Sequence, residues 1–247
     1  MTRNLLILGG TQEARELAKK AVNLPNIEVK VSLAGRTNQA VISKNLRVGG
    51  FGGITGLIKY LEAENIDLLI DATHPFAAKI SRNVAVAVEK LGLPQLMLIR
   101  PEWKLVPGDK WIEVENIQAA VDILPSFAKR VFLTIGRQEI IAFTQLENIW
   151  FLMRMIEKTS SNIALPKGLI LNDRGPFDKD SEKQLLQKHN IDTIVSKNSG
   201  GNATYAKITA ARELGIKVVM VKRPMLPEGE RVEGVESALE WIKRVRS

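Results

Sequence analysis

The sequence predicts an α/β fold built from two Rossmann-like parallel-sheet halves facing a shared cleft, and three observations carry that reading. Short runs of Val, Ile and Leu alternate with amphipathic stretches, the rhythm of buried parallel strands covered by helices. The rhythm repeats: Glu64-Asn65-Ile66-Asp67-Leu68-Leu69-Ile70-Asp71 matches His189-Asn190-Ile191-Asp192-Thr193-Ile194-Val195-Ser196 at a spacing of 125 residues. The first apolar run ends in Leu8-Gly9-Gly10-Thr11 at the start of a helical pattern. That is the junction where parallel α/β sheets take up phosphate.

Taken in order, the first half reads as a strand over 4–8, a helix over 13–22 and a strand over 27–33. A third short apolar stretch then leads into Gly49-Gly50-Phe51-Gly52-Gly53. A helix over 57–64, a strand over 67–71, a helix over 77–91 and a strand over 95–99 complete it. The irregular stretch 103–110, with Pro107-Gly108, and the loop around Pro125 are the places for a boundary. Beyond a helix over 117–124 come strands over 130–135, 150–156 and 169–171, a helix over 181–189 and a strand over 192–196. A helix over 205–214, a strand over 218–221 and a helix over 236–245 close the chain. Two more matches strengthen the repeat. Leu91-Gly92 with Arg100-Pro101 corresponds to Leu214-Gly215 with Arg223-Pro224, and the run from Arg3 to Gly10 corresponds to the run from Arg130 to Arg137. Shared Asn-Ile-Asp, Leu-Gly and Arg-Pro punctuation is more than generic hydrophobic patterning supplies. The expected division is therefore 1–125, a Rossmann-like domain, and 126–247, an α/β domain of similar layout.

Composition narrows the chemistry. The 247 residues include 35 Lys and Arg against 27 Asp and Glu, a net charge of +8, with no cysteine and only His74 and His189 as histidines. Disulfides, iron–sulfur clusters, thiolate zinc sites and cysteine nucleophiles are excluded, and no metal site is expected. No apolar run approaches the roughly 20 residues of a membrane span, so the expectation is a cytoplasmic protein with no membrane partner. The positive surplus favours an anionic partner. Aromatic residues at only 5%, with no basic stripe interleaved with aromatics, argue against nucleic acid.

The candidate cofactor residues follow from the first half. Gly9, Gly10 and Thr11 form a turn that brings a pyrophosphate close to backbone N–H groups at a positive helix end. NAD-specific sites place Asp or Glu near the end of the second strand for the ribose diol. Here that segment supplies Ser32, Arg36 and Thr37 and no carboxylate. Arg36 suits a 2′-phosphate through a charge-assisted fork, which favours NADPH over NADH. Gly50 and Gly52 lie in a loop whose glycines suit close approach to a ligand. Thr73 and His74, after the fourth strand, would reach ribose or nicotinamide; a capping histidine satisfied by backbone is an equal reading of His74.

The second half replaces the second glycine of the turn with Arg137, so it is not expected to hold a second dinucleotide. Arg137, Arg174, Lys197, Ser199 and Lys207 are the candidate substrate-binding residues, cations and donors suited to carboxylates. Lys197, Tyr205 and His74 are the catalytic candidates, with Lys197 the first choice to deliver a proton.

These blocks, in order, resemble the precorrin-6A reductase family. Ile7-Leu8-Gly9-Gly10-Thr11, Ser32-Leu33-Ala34-Gly35-Arg36-Thr37, Val48-Gly49-Gly50-Phe51-Gly52-Gly53 and Asp71-Ala72-Thr73-His74-Pro75-Phe76-Ala77 carry the likeness in the first half. Thr134-Ile135-Gly136-Arg137-Gln138-Glu139, Arg174-Gly175-Pro176-Phe177 and Ser196-Lys197-Asn198-Ser199-Gly200-Gly201 carry it in the second. The resemblance implies an NADP-dependent oxidoreductase acting on CH–CH bonds in cobalamin (vitamin B12) biosynthesis. It implies reduction of one double bond of a corrin-precursor macrocycle, precorrin-6A or its cobalt form, to the 6B state. An anionic tetrapyrrole with many carboxylates suits the cations read above. A reductase of another polycarboxylate, or a non-catalytic NADP-sensing module that binds an anionic partner, stand as alternatives. Monomer and homodimer are both open.

Overall fold

The structure is a computed structural model and describes residues 2–35, 45–156 and 164–245. The first run of elements is β1 (Arg3–Leu8), α1 (Gln12–Ala21), β2 (Ile27–Leu33), β3 (Leu46–Val48), α2 (Gly53–Ala63), β4 (Ile66–Asp71), α3 (Ala78–Leu91) and β5 (Gln95–Leu98). The second is β6 (Lys110–Val114), α4 (Ile117–Ile123), β7 (Arg130–Thr134), α5 (Arg137–Ile140), β8 (Trp150–Met155), β9 (Gly168–Asn172), α6 (Lys179–Lys188), β10 (Thr193–Lys197), α7 (Ala206–Leu214), β11 (Lys217–Val221), β12 (Arg231–Val232) and α8 (Val235–Val245).

Two six-stranded sheets result among the described residues, ordered β12-β5-β4-β1-β2-β3 and β6-β11-β10-β7-β8-β9, with every adjacent pair parallel. Replacing β1–β5 by β7–β11 and β12 by β6 converts one order into the other, so the sequence repeat is a repeat of topology. Its punctuation has local causes. Asn65 and Asn190 both adopt left-handed backbone, at φ 48° and 51°. Two residues on, the Asp67 and Asp192 carboxylates accept the N–H groups of Asn4 and Arg130 at 2.7 and 2.9 Å, pinning the starts of β1 and β7. Gly92 and Gly215 end α3 and α7 at φ 64° and 66°, and the residue after each donates back to Val88 or Ala211. That is the Schellman closure, which glycine adopts without a Cβ penalty.

The expected division at 125/126 requires correction. The chain separates into 1–101 with 225–247, and 102–224. The cause is an exchange of edge strands. β6 follows the first five strands in sequence yet pairs with β11, and β12 follows the second five yet pairs with β5. α8 then buries Ala238, Trp241 and Ile242 in the first unit's core with Leu17 and Ala18. In sequence 110–114 carries no clear strand signal, because its edge position exposes Lys110 and Glu113 and breaks the apolar run. β12 is two residues long and β3 three, too short for a periodicity.

Within the first sheet the alternation of β1 is clear. Leu5 and Ile7 face α1 and α8, whereas Leu6 and Leu8 face α2 and α3 with Leu57, Leu61 and Val84. Burial on both faces is what a parallel strand between two helix layers requires. In the second unit Phe132, Leu152, Ile194 and Met220 pack beneath Leu186 of α6 and Ile208 of α7. No helix among the described residues is long and apolar enough to cross a membrane.

His189, at the end of α6, stacks on Trp150 at 5.9 Å, and Arg130 covers the same indole at 3.9 Å. Burial first, then Lys188 and Arg130, hold its imidazole below the ordinary value of 6.5. The fold therefore favours neutral His189. Below pH 6.5 the unfolded chain binds more protons, and the stability this group contributes is lost as pH falls through the folded pKa. Thermal scans from about pH 7 to about pH 5 should show the second unit's transition falling, and less steeply in His189→Gln.

Candidate active site

The first unit's site grows from the ends of β1, β2 and β4. Gly9 donates its N–H to Ser32 O at 2.8 Å, and a Cβ there would lie 2.9 Å from Leu33 Cδ2, so a side chain at this position would have to displace the end of Leu33. Gly10 differs: it is exposed, at φ 130°, with nothing within 4 Å of the place a Cβ would occupy. One glycine serves packing and the other leaves the backbone open to a ligand. Thr11, only 8% exposed, caps α1 by accepting from Ala14 N at 3.1 Å and ties the turn to β4 by donating to Ala72 O at 3.0 Å. The first N–H groups of α1 follow directly, where a helix has unsatisfied donors and a partial positive charge.

Ser32 is buried at the end of β2. Arg36 and Thr37 lie outside the described residues. Gly50 is exposed in the loop after β3, and Gly52, at φ 79°, precedes α2. At the end of β4, Asp71 is 3% exposed and its Oδ1 accepts both the N–H and the hydroxyl of Thr73, at 3.1 and 2.7 Å. With its proton committed to Asp71, the Thr73 hydroxyl presents lone pairs, an acceptor for a ribose hydroxyl or a carboxamide N–H. His74 Nδ1 accepts from Phe76 N at 3.2 Å, which places the proton of the neutral ring on Nε2. Asp71, Thr73, His74, Ser81, Ile99 and Leu226 line a small open hollow at the end of β4.

In the second unit the candidates gather at the ends of β7, β9 and β10. Arg137 opens α5 and is half-buried, while Arg174 is exposed beyond β9 with its N–H on Asp173 Oδ1 at 2.8 Å. Lys197 ends β10 with its Nζ 2.5 Å from Glu139, a carboxylate that also accepts Gly136 N–H at 3.2 Å. Ser199 donates to Lys197 O at 3.2 Å. Two of the candidates are engaged within the fold. Lys207 is only 5% exposed and sits 5.2 Å over the Trp103 ring, so it packs the loop from beneath and does not offer a surface cation. Tyr205 is engaged likewise, its ring 5.6 Å from Trp103 and its hydroxyl accepting from Arg212 at 2.8 Å.

Sequence reasoning missed Asn198. It is 5% exposed, accepts from Trp103 N at 2.8 Å and donates to Trp103 O at 3.0 Å, while Trp103 Nε1 donates to Gly201 O at 2.8 Å. Arg223 adds bonds to the carbonyls of Asn198 and Ser199, at 2.9 and 3.1 Å. The Lys197–Ser199 segment is therefore held from two distant parts of the chain. Arg47 and Asp71 were missed too; a charged residue between Leu46 and Val48 was the available signal for Arg47.

The fold and these residues define a Rossmann-type α/β protein of two units: one carries an open glycine turn at its first strand–helix junction, the other cations and a donor-rich loop at its strand ends. Comparison with known proteins gives the particular family. The model described as "Precorrin-6x reductase CbiJ/CobK" matches residues 4–243, and the chain belongs to that family. It is 45% identical over 245 residues to the precorrin-6A reductase of Rhodococcus erythropolis, covering 98% of both chains. It is 24% identical to the cobalt-precorrin-6A reductase of Priestia megaterium, over 91% of this chain and 92% of that one. A solved structure, "CobK precorrin-6A reductase", superposes with a TM-score of 0.92 at 37% identity, covering 99% of this chain and 97% of the other.

Proposed function

We propose that this chain is an NADPH-dependent precorrin-6A reductase of cobalamin biosynthesis, with the cofactor on the first unit and the substrate's carboxylates on the second. The observation that carries the cofactor reading is the open turn at Gly10 before α1, beside a β2 that ends without a carboxylate. The residues present fit such a group: Gly10 has space above it, Thr11 fixes the helix start, and Thr73 offers an acceptor. NADPH supplies the hydride when bound. The chain's own residues position the reactants, a contribution worth several kcal/mol of barrier. Gly10, Thr11 and the α1 N-terminus hold the pyrophosphate, Arg36 the 2′-phosphate, and Thr73 the ribose or carboxamide. Arg137, Arg174, Lys197 and Ser199 hold carboxylates of the macrocycle, and Lys197, with Glu139 beside it, delivers the proton that accompanies hydride. Tyr205 and Lys207 act through the packing of the 197–205 loop.

The test is oxidation of NADPH by the purified protein with precorrin-6A, followed through both the nicotinamide and tetrapyrrole spectra, with cobalt-precorrin-6A and NADH in parallel. NADPH consumption that requires precorrin-6A is the expected result. No turnover with either macrocycle would remove the activity. Arg36→Ala should lower kcat/KM for NADPH about tenfold or more, the size of one charge-assisted phosphate contact, and leave NADH unchanged. Equal use of both nucleotides by the unaltered protein would refute the NADPH assignment.

A further inference from the structure

Arg47 has no part in the site as read from sequence, yet the structure builds the start of the 49–53 loop on it. It lies on β3 directly across from Ser32 of β2, and its Nη1 is 3.4 Å from the Ser32 hydroxyl. The same guanidinium donates to Gly49 O and, at 2.8 Å, to Gly50 O. Its guanidinium carbon lies 4.0 Å from the Phe51 ring centre and 5.2 Å from that of Tyr60, and those two rings meet edge to face at 5.2 Å. Gly49 N–H is itself tied to Leu33 O at 2.8 Å, so the loop that follows β3 starts beside the end of β2.

Two consequences follow. A trans peptide holds its C=O and N–H on opposite sides. Fixing the Gly49 and Gly50 carbonyls on Arg47 therefore turns the Gly50 and Phe51 N–H groups to the other side of the loop, as an adjacent pair of donors. The charge is also conspicuous. Among the described residues the polar partners of Arg47 are a hydroxyl and two carbonyls, none of them negative. Between Glu28 and Glu62 the chain has no acidic residue, but it has Lys30, Arg36, Lys44, Arg47 and Lys59. Lys30 is taken up by Glu64 at 2.5 Å. A stretch without carboxylates, a paired set of N–H donors and a cation held against aromatic rings suit a dianionic group at the end of β2.

We propose that Arg47 is a positioning residue for the 2′-phosphate end of NADPH, shaping the 49–53 loop into an anion-binding edge and adding an unneutralised charge to it. This rests on the NADPH reading above. The probes are adenosine 2′,5′-bisphosphate and adenosine 5′-monophosphate, titrated calorimetrically into the full chain and into Arg47→Gln and Arg47→Lys. The unaltered chain should prefer the bisphosphate, and Arg47→Gln should shrink that preference about tenfold while monophosphate affinity holds. Arg47→Lys keeps the charge but loses the planar fork, and its bisphosphate affinity should fall about threefold or more. It keeps the test decisive should the glutamine variant fail to fold. Equal weakening of both nucleotides would make Arg47 a folding residue only, and an unaltered preference would likewise overturn the proposal while leaving the NADPH reading intact. No preference in the unaltered chain would overturn both.

Discussion

Arg154→Ala is expected to destabilise the second unit by about 3–5 kcal/mol, the cost of leaving a buried charge without its partner. Arg154 projects from β8 at 9% side-chain exposure and meets Glu182 of α6, at 2%, through both terminal nitrogens, at 3.1 and 2.6 Å. Its guanidinium lies 3.8 Å over Phe177 and 4.8 Å over Phe132, with Asp173 3.9 Å away. Removing it strands Glu182 beneath a helix and opens a gap between two rings. The pair is costly to break but not irreplaceable. Arg154→Met with Glu182→Leu removes both charges and fills similar volume, so it should recover most of the loss. Calorimetric unfolding of the two single variants and the double variant measures the difference directly. A loss below about 1 kcal/mol for Arg154→Ala would show that water reaches Glu182 and screens it. A kinetic consequence accompanies the structural one. Asp173 and Phe177 flank Arg174, proposed above to hold a carboxylate of the macrocycle, so loosening this cluster should raise the KM of the macrocycle more than that of NADPH.

Which features were legible in the sequence depends on how far apart their causes lie. The asparagines of the Asn-Ile-Asp repeat and the Leu-Gly pairs were readable because each acts within a few residues: Asn65 and Asn190 set a left-handed turn, and Gly92 and Gly215 end a helix. Strands such as β1 and β10 were readable because burial on both faces leaves unbroken apolar runs. The edge-strand exchange was not, because nothing local in 110–114 or in Arg231-Val232 states which sheet will take it. The packing that decides it lies elsewhere, in α8 against α1 and in β11 beside β6. The site divides the same way. The glycine turn and the missing carboxylate are local signals. Arg47 and Asn198 work through partners that the fold brings to them, Ser32 on the neighbouring strand and Trp103 at a distance of 95 residues. For Lys207 the sequence showed a cation in a donor-rich loop, and burial against Trp103 reversed what that meant.

Asn198→Asp is expected to lower kcat/KM for the macrocycle about a hundredfold, because small displacements of positioning groups carry penalties of that order. Asn198 meets the Trp103 backbone at both its N–H and its carbonyl, so its amide must supply one acceptor and one donor. Aspartate retains the acceptor but sets a second oxygen against Trp103 O, and it places a charge at a site 5% exposed. The segment would relax by moving, and Lys197 and Ser199 adjoin it on either side. Trp103→Phe is the milder comparison: it keeps the ring beneath Tyr205 and Lys207 but deletes the bond to Gly201 O. Its expected loss is about tenfold, the scale of a single buried hydrogen bond. NADPH affinity should stay within about twofold in both, because the residues proposed above to hold it, Gly10, Thr11 and Thr73, belong to the other unit and their bonds do not pass through this loop. Parallel loss of NADPH and macrocycle binding would instead mean that the two ligands share the loop, and the division of labour between the units would have to be redrawn.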